Sequence, residues 1–256
     1  MSDSLTQFQK LMDVLDSLLA PDGCEWDREQ THESLIPYLL EETHEVIEAI
    51  ENRNMNALKE ELGDLMLHII FQAKLSEKEG YFNISDSLKN ISSKLIKRHP
   101  HIFSDDSDNS YKKGNWESTK KKEKGRKSVL EGVPISLPSL TKAQRIQEKA
   151  SSVGFDWKDL TPIWDKINEE ILELEEVLQS NNSDRIKDEL GDVLFSIVNL
   201  SRFLSIDAES ALRHTIKKFE NRFKKVENQL ELEGIDIQEA TLDEMDEIWN
   251  DIKKQK

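Results

Sequence analysis

Residues 161–192 read TPIWDKINEEILELEEVLQSNNSDRIKDELGD, and residues 33–64 follow the same plan as ESLIPYLLEETHEVIEAIENRNMNALKEELGD. Each stretch contains a Glu-Glu-x-x-Glu pattern, and a Glu-x-x-Asp pattern follows it at the same spacing. Both patterns therefore occur twice in the chain, at a constant offset of 128 residues. A repeat of this kind predicts two similar domains instead of one large domain.

Apolar residues recur at helical spacing along most of the chain, and no stretch of strand length alternates apolar with polar residues. The predicted fold class is therefore all-α. We expect helices over about 5–19, 33–51, 56–79, 84–98, 161–179, 183–204, 207–232 and 242–254.

The predicted domains are an N-terminal repeat over residues 1–105 and a C-terminal repeat over residues 140–256. Residues 106–139 separate them and differ in composition from both. This segment includes a run from Lys112 to Lys127 with eight Lys or Arg and two Glu, and two prolines follow the run. We interpret the segment as a linker and a mobile, solvated basic arm.

Composition limits the function further. The chain has 256 residues and a formal charge of −16, which argues against binding to DNA or RNA because phosphate backbones need a basic surface. The single cysteine, Cys24, excludes an intramolecular disulfide and is typical of the cytoplasm. There is no apolar run of about 18 residues and no signal-peptide pattern. We therefore predict a cytoplasmic protein that does not contact a membrane.

The acidic residues of each copy are predicted to meet on one side of a helical hairpin. An isolated Glu-x-x-Glu pattern on a helix is usually a solvated surface. Here Glu42 and Glu45 lie roughly 100° and 160° from the centre of their helix's apolar stripe. Glu61 and Asp64 lie at about the same two angles on the next helix. Both pairs are also equally far from the polar turn at 52–54, so the four carboxylates lie level with one another.

Two apolar stripes are predicted to pack this hairpin together. They consist of Ile36, Leu39, Leu40, Val46, Ile47 and Ile50 on one helix, and of Leu58, Leu62, Leu65, Met66 and Ile69 on the next.

The second copy places its four acids at Glu170, Glu173, Glu189 and Asp192. Four neighbouring carboxylates repel one another unless a cation lies between them. Hard oxygen ligands without Cys or His favour Mg²⁺, with Mn²⁺ as the alternative. A di-iron site is not expected, because that site requires Glu-x-x-His on two helices.

The order Glu-Glu-x-x-Glu and then Glu-Leu-Gly-Asp resembles the all-α nucleoside triphosphate pyrophosphohydrolases, whose relatives include dimeric dUTPases and phosphoribosyl-ATP pyrophosphatases. The duplication is similar to that of the two-domain MazG proteins. Other stretches share the resemblance: Gly23-Cys24-Glu25-Trp26-Asp27, Lys97-Arg98-His99-Pro100-His101-Ile102-Phe103, Gly114-Asn115-Trp116-Glu117 and Gly154-Phe155-Asp156-Trp157.

The resemblance implies Mg²⁺-dependent hydrolysis of nucleoside triphosphates to monophosphates and pyrophosphate, with a role in nucleotide-pool housekeeping. It also implies broad tolerance for the base, and a homodimer whose paired helical hairpins form a four-helix bundle. The base and sugar preferences stay open. The alternative from another class is a non-catalytic helical module that binds a structural metal ion or a basic partner.

The resemblance also implies roles for individual residues. The metal ligands and catalytic acids of the second copy would be Glu170, Glu173, Glu189 and Asp192, and Glu169 would orient water or contact substrate. The substrate-binding residues would be Lys166, Glu169, Arg185, Lys218, Arg222 and Trp249. Trp249 would stack on the base, although it could instead anchor the last helix in the core. The base that activates water stays open among the carboxylates.

Cationic residues distinguish the two copies. Lys166 lies one turn before Glu170, and Tyr38 occupies the equivalent position of the first copy. Arg185 lies one turn before Glu189, and Ala57 is its equivalent. Both copies keep the metal ligands, so the first copy's acids Glu42, Glu45, Glu61 and Asp64 form a second predicted metal site. Because cations complement a triphosphate, we expect the C-terminal copy to perform most of the hydrolysis. The first copy would support dimerisation or act as a weaker or regulatory site.

Three histidines could suggest a metal site of another kind. His99 and His101 flank Pro100, and without a third such ligand nearby we interpret them as part of a structural turn. His68 lies one turn after Asp64, and we predict a surface or interface position for it.

Overall fold

The computed structural model describes residues 3–103, 125, 127–180 and 182–254. The chain divides into two compact units, residues 1–110 and 111–256. Within the described ranges the secondary structure is helical and contains no β-strand, which confirms the all-α prediction. Most of the predicted basic arm, including the Gly114-Asn115-Trp116-Glu117 stretch, lies outside the described residues. The boundaries proposed at 105 and 140 therefore stay predictions.

The first unit is a series of helices in which one long hairpin carries the acids. Its helices are α1 (Asp3–Leu19), α2 (Glu25–Arg28), α3 (Ile36–Glu51), α4 (Met55–Lys78), α5 (Ile84–Arg98) and α6 (Pro100–Phe103). α3 and α4 pack along each other, and α1 and α5 pack against α4.

The second unit contains a hairpin of the same plan. Its helices are α7 (Ser139–Ser151), α8 (Thr161–Leu178), α9 (Ser183–Phe203), α10 (Ala208–Glu233) and α11 (Leu242–Lys254). α8 pairs with α9, α7 packs against α9 and α10, and α11 folds back on α10. α7 is missing from the sequence-based assignment, because its apolar residues are too sparse to form a clear stripe. The other long helices begin and end within three residues of the predicted limits.

The same cap begins the second helix of each hairpin. The Asn54 side-chain oxygen accepts a hydrogen bond from the Ala57 backbone N–H at 3.2 Å. In the second unit the Asn182 side-chain oxygen accepts from the Arg185 N–H, also at 3.2 Å. An asparagine cap satisfies an N–H that the first turn of a helix leaves unpaired. The cap therefore fixes the residue at which α4 and α9 begin. This in turn fixes how far along the hairpin their acidic residues lie.

A small apolar core holds the first hairpin against α1. Leu15 of α1 and Ile70 of α4 are completely buried, and Leu35, Phe71 and Leu75 complete this cluster. The second unit buries a corresponding set on the three helices α8, α9 and α10, namely Ile163, Ile167, Val177, Val198, Ala208, Val226 and Leu230.

The prediction that the two apolar stripes bury each other along the first hairpin is wrong in part. Leu40, at the middle of the α3 stripe, is 56% exposed, and Leu62 of α4 is 50% exposed. Each stripe is too wide for one neighbouring helix to cover, so one flank packs inside the unit and the other faces outward. The outward residues of this hairpin are Ile36, Leu40, Ile50, Leu62, Met66 and Ile69.

Candidate metal and nucleotide site

Each hairpin brings three carboxylates close enough to share one cation. In the first unit, oxygen atoms of Glu42, Glu45 and Glu61 all lie within 4.8 Å of one another. We call these three residues the first acid cluster. In the second unit, the corresponding oxygens of Glu170, Glu173 and Glu189 meet the same limit, and we call these the second acid cluster.

The fourth predicted acid lies outside this distance in both units, so its role as a ligand stays a prediction. Asp64 is near enough that its charge raises the pKa of Glu42. Asp192 is exposed on α9 and is absent from the second acid cluster. Arg185 is likewise exposed, in the first turn of α9.

In both clusters, repulsion between neighbouring carboxylates contributes to a raised pKa. Desolvation and the neighbouring charges of Asp64, Glu45 and Glu61 raise the pKa of Glu42. Desolvation and Glu45 also raise the pKa of Glu61. In the second cluster, the pKa of Glu173 is raised by desolvation and then by Glu170 and Glu189, against a lowering by Lys166. A divalent cation among the oxygens would relieve this repulsion.

Lys166 provides the positive charge of the second cluster. Its Nζ donates to Glu169 Oε1 at 2.8 Å and lies 2.7 Å from Glu170 Oε1. These two partners raise the pKa of Lys166, so it stays charged. Glu170 is only 6% exposed, and a buried carboxylate is stable only when it is paired. The predicted role of Lys166 as a phosphate ligand stays a prediction, since its charge here neutralises protein carboxylates.

Aromatic rings occupy the equivalent place in the first unit. Tyr38 stands where the second unit has Lys166, and its ring stacks on His68 with centroids 6.4 Å apart. Trp26 contacts Tyr38 edge to face at 5.8 Å. His68 is 9% exposed, so the prediction of a surface position is wrong, and burial lowers its pKa. The stacking on Tyr38 explains why His68 faces inward from α4.

A hydrogen-bond network that sequence analysis missed holds the segment between α2 and α3 in place. His32 Nδ1 donates to the Gln72 side-chain oxygen, and Gln72 Nε2 donates to the His32 carbonyl at 3.3 Å. Ser76 Oγ lies 3.5 Å from His32 Nε2. These residues are about forty positions apart, and no local pattern connects them. The network ties the segment that follows α2, the helix with Trp26, to α4.

In the second unit an ion pair fixes the corresponding loop. The Arg202 guanidinium bonds both oxygens of Asp156 at 2.9 and 2.5 Å, and its Nε donates to Asn199 at 3.0 Å. A two-point arginine–carboxylate pair sets orientation as well as position. The Gly154-Phe155-Asp156-Trp157 stretch is therefore tied to the end of α9, and its Trp157 is 42% exposed.

The basic and aromatic residues near the C-terminus form their own group. The Trp249 ring packs on Phe219 at 5.2 Å, and the Arg222 guanidinium lies 5.8 Å from the Trp249 ring centre. This packing fits the anchoring role, while stacking on a base stays a prediction. Lys218 is exposed, and no ion pair joins Lys218 or Arg222 to the second acid cluster in the part of the chain that the structure describes.

The acid clusters fit the group that the fold implies. Each offers only carboxylate oxygens, which suits Mg²⁺ or Mn²⁺ better than a softer metal. Over the described ranges, no other group of three metal-ligating side chains is found. His99 and His101 are therefore not part of such a group, and the Nδ1 atom of His99 lies 2.8 Å from the Leu95 carbonyl at the end of α5.

The raised pKa of Glu42 predicts a pH-dependent stability without metal. A raised pKa means that folding favours the protonated form, so its contribution is present at low pH and lost as pH rises through the pKa. In EDTA at pH 7, Glu42→Gln should therefore raise the thermal midpoint measured by circular dichroism. The gain should vanish near about pH 4, where wild-type Glu42 is largely protonated. Glu33→Gln, an exposed residue of the same unit, is the control, and a lower midpoint for Glu42→Gln at pH 7 would contradict the prediction.

The described residues contain no helix that is both long and apolar enough to cross a membrane.

The MazG nucleotide pyrophosphohydrolase domain matches this chain twice, over residues 30–103 and 161–227. The chain belongs to the MazG family. Each match contains one acid cluster, so the two tandem MazG-like repeats expected from the sequence are confirmed. The predicted enzyme class, a nucleotide pyrophosphohydrolase, is confirmed by the same membership.

Relatives from several bacteria match nearly the whole chain. A Thermotoga maritima protein named nucleoside triphosphate pyrophosphohydrolase/pyrophosphatase MazG is 47% identical over 248 residues, which cover 96% of this chain and 95% of that protein. An Escherichia coli nucleoside triphosphate pyrophosphohydrolase is 40% identical over 259 residues, which cover 98% of each chain. An uncharacterized Bacillus subtilis protein, YabN, is 42% identical over 253 residues, which cover 97% of this chain and 52% of YabN.

Proposed function

We propose that this MazG protein hydrolyses nucleoside triphosphates to monophosphates and pyrophosphate, with Mg²⁺ held by the second acid cluster. The observation that carries this proposal is the meeting of Glu170, Glu173 and Glu189 oxygens within 4.8 Å, with Lys166 beside them. The names of the relatives in Thermotoga and Escherichia support the substrate class. Mn²⁺ would serve as an alternative ion, because it accepts the same oxygen ligands.

The chemistry divides between charge neutralisation and the positioning of water. Bound Mg²⁺ would neutralise the triphosphate and polarise the α-phosphorus. Glu169 is exposed beside Glu170 and would orient the attacking water and accept its proton. Attack breaks the bond between the α-phosphorus and the bridging oxygen, and pyrophosphate leaves with that oxygen. Lys166 and Arg185 would hold the phosphate oxygens, since each lies one helical turn before an acid of the cluster.

We further propose that the first acid cluster is a weaker or regulatory site. It keeps its three carboxylates, but Tyr38 and Ala57 replace the two cations of the second unit. Without those cations a triphosphate would be held only through metal ions. The cellular role would be nucleotide-pool housekeeping in the cytoplasm, and the acidic surface argues against DNA or RNA as a partner.

The products identify the reaction. The full chain is incubated with each nucleoside triphosphate and Mg²⁺, and products are separated by ion-exchange chromatography. Monophosphate with pyrophosphate is the expected result, and EDTA should remove it. Diphosphate with inorganic phosphate would indicate a different nucleotidase. Inactivity on every nucleotide tested would favour the alternative, a helical metal-binding interaction module.

A homodimer is also proposed, with the outward apolar face of each α8–α9 hairpin as its interface. This face includes Leu190, Leu194 and Ile197, which recur along one side of α9, and Leu172 of α8; each is at least 41% exposed. Apolar patches of this extent usually mark an interface, and two hairpins would together form a four-helix bundle.

Leu194→Glu should prevent this dimer. A carboxylate in the middle of an apolar interface must be desolvated, so we expect a shift from dimer to monomer in light scattering after size exclusion. Lys187→Glu changes a charge on the same helix and should leave the mass unchanged. A wild-type chain that is monomeric at micromolar concentration would refute the proposed dimer.

A further inference from the structure

One lysine distinguishes the electrostatics of the two acid clusters. Lys166 Nζ lies within 2.8 Å of oxygens of both Glu169 and Glu170. Lys166 also lowers the pKa of Glu173, against the carboxylates that raise it. Because Glu170 is buried, this lysine provides the charge that a metal ion would otherwise provide.

Among the residues that the structure describes, no lysine or arginine pairs with the first acid cluster in the way that Lys166 pairs with the second. Tyr38 occupies the equivalent position, and its contacts with His68 and Trp26 hold an uncharged ring there. After desolvation, the main charges that act on Glu42 and Glu61 among the described residues are carboxylates, and these raise the pKa of both groups. The first cluster therefore has uncompensated negative charge, whereas the second is partly neutralised by its own chain.

A divalent cation and Lys166 cannot both neutralise Glu170 without repelling each other. The lysine side chain is 37% exposed and has a flexible stem, so it can turn away into solvent. It would then lie about one helical turn, ~5.4 Å, from the carboxylates. That position suits the phosphate oxygens of a nucleotide bound to the same metal ion.

We propose that Lys166 is an exchangeable counter-ion: it leaves Glu169 and Glu170 when a divalent cation binds, and then pairs with nucleotide phosphate. The first acid cluster, with Tyr38 in that position, binds a divalent cation without an exchange. The first cluster is therefore the tighter metal site in the absence of nucleotide. The second cluster binds metal well only together with nucleotide, because only then does the displaced lysine regain a partner. This inference rests on the metal-dependent function proposed above.

The test measures Mn²⁺ binding without nucleotide, by electron paramagnetic resonance of the free ion. Binding to each cluster is measured in a double variant that removes two carboxylates of the other cluster. Glu45→Gln with Glu61→Gln removes binding to the first cluster and reports on the second. Glu173→Gln with Glu189→Gln removes binding to the second cluster and reports on the first. We expect the first cluster to bind Mn²⁺ roughly tenfold more tightly than the second. Lys166→Met should tighten the second cluster by a similar factor, and Tyr38→Lys should weaken the first.

Lys187→Met is the matched control, because it removes the same charge from an exposed position two residues before Glu189. Its effect should stay below about twofold, since exposed charges that make no contact are screened by solvent and salt. Far-UV circular dichroism checks that each variant folds, and Lys166→Met by itself decides the question if Tyr38→Lys does not fold. An affinity of Lys166→Met within twofold of wild type would overturn the exchange but leave the proposed hydrolysis intact. No Mn²⁺ binding to any variant would overturn the proposed metal dependence as well.

Discussion

Glu173→Gln is expected to reduce monophosphate formation by roughly a thousandfold, whereas Glu45→Gln should reduce it less than about threefold. Both substitutions keep the shape of the side chain and remove one charge. Both residues occupy the same position in their acid clusters. A difference between them therefore reports which copy performs the reaction, and not how the acids are arranged.

The asymmetry follows from what surrounds each glutamate. Glu173 shares its cluster with Glu170, whose Oε1 lies 2.7 Å from Lys166 Nζ, and Arg185 lies in the first turn of the neighbouring helix α9. Glu45 shares its cluster with Glu42, and the residue one helical turn before Glu42 is the uncharged Tyr38. Triphosphate binding needs cations in addition to metal ions, and the second unit alone places Lys and Arg at these two positions.

The measurement is initial-rate pyrophosphate release at saturating Mg²⁺, with monophosphate quantified in parallel. Glu175→Gln is the matched control, since it removes the same charge from an exposed position on α8. Its activity should stay near the wild-type value. If Glu45→Gln abolishes activity while Glu173→Gln preserves it, the first unit is the catalytic one and the assignment must be reversed.

Gly23→Ala is expected to destabilise the first unit by about 3 kcal/mol or more, the largest stability change that we predict. A Cβ at this position would lie 2.3 Å from the Leu18 carbonyl oxygen and 2.4 Å from the Ser17 carbonyl oxygen. Both are backbone atoms at the end of α1, so no side-chain rotation relieves the clash. The chain could accept alanine only by opening the turn that the Gly23 and Cys24 N–H groups close on α1.

Opening this turn would also disturb residues beyond it. α2 begins at Glu25 and carries Trp26, which contacts Tyr38 beside the first acid cluster. Urea unfolding followed by circular dichroism measures the change in the free energy of unfolding. Asp22→Ala, an exposed neighbour in the same turn, should change it by less than about 0.5 kcal/mol. Equal stabilities for Gly23→Ala and wild type would show that the turn can relax.

Local patterns were sufficient to predict the helices and the acid pairs. The spacing of Glu42 and Glu45 on one helix, and of Glu61 on the next, depends only on 3.6 residues per turn and on a short connecting turn. The structure places these three together, as it does their counterparts in the second unit. The prediction for Asp64 and Asp192 used the same periodicity, but it could not show how far a short aspartate side chain reaches.

Other features were beyond prediction, for a different reason in each case. α7 was missed because its apolar residues form no clear stripe. His68 was predicted to lie at the surface or an interface, because its packing inside the unit depends on Tyr38, thirty positions earlier and on another helix. The pairing of Lys166 with Glu170 is compatible with their i, i+4 spacing. Only the tertiary structure shows that this lysine pairs with two protein carboxylates, Glu169 and Glu170.

The sequence by itself determined the all-α class, the duplicated plan and the two sets of metal-type carboxylates, because helical periodicity and repeat spacing are properties of neighbouring residues. The tertiary structure alone decided which charges are neutralised and which side of each hairpin's apolar stripe stays exposed to solvent. Those outcomes depend on desolvation and on contacts between distant segments, such as His32 with Gln72 and Asp156 with Arg202. The two copies share one framework, and their differences arise from the side chains that pack around it.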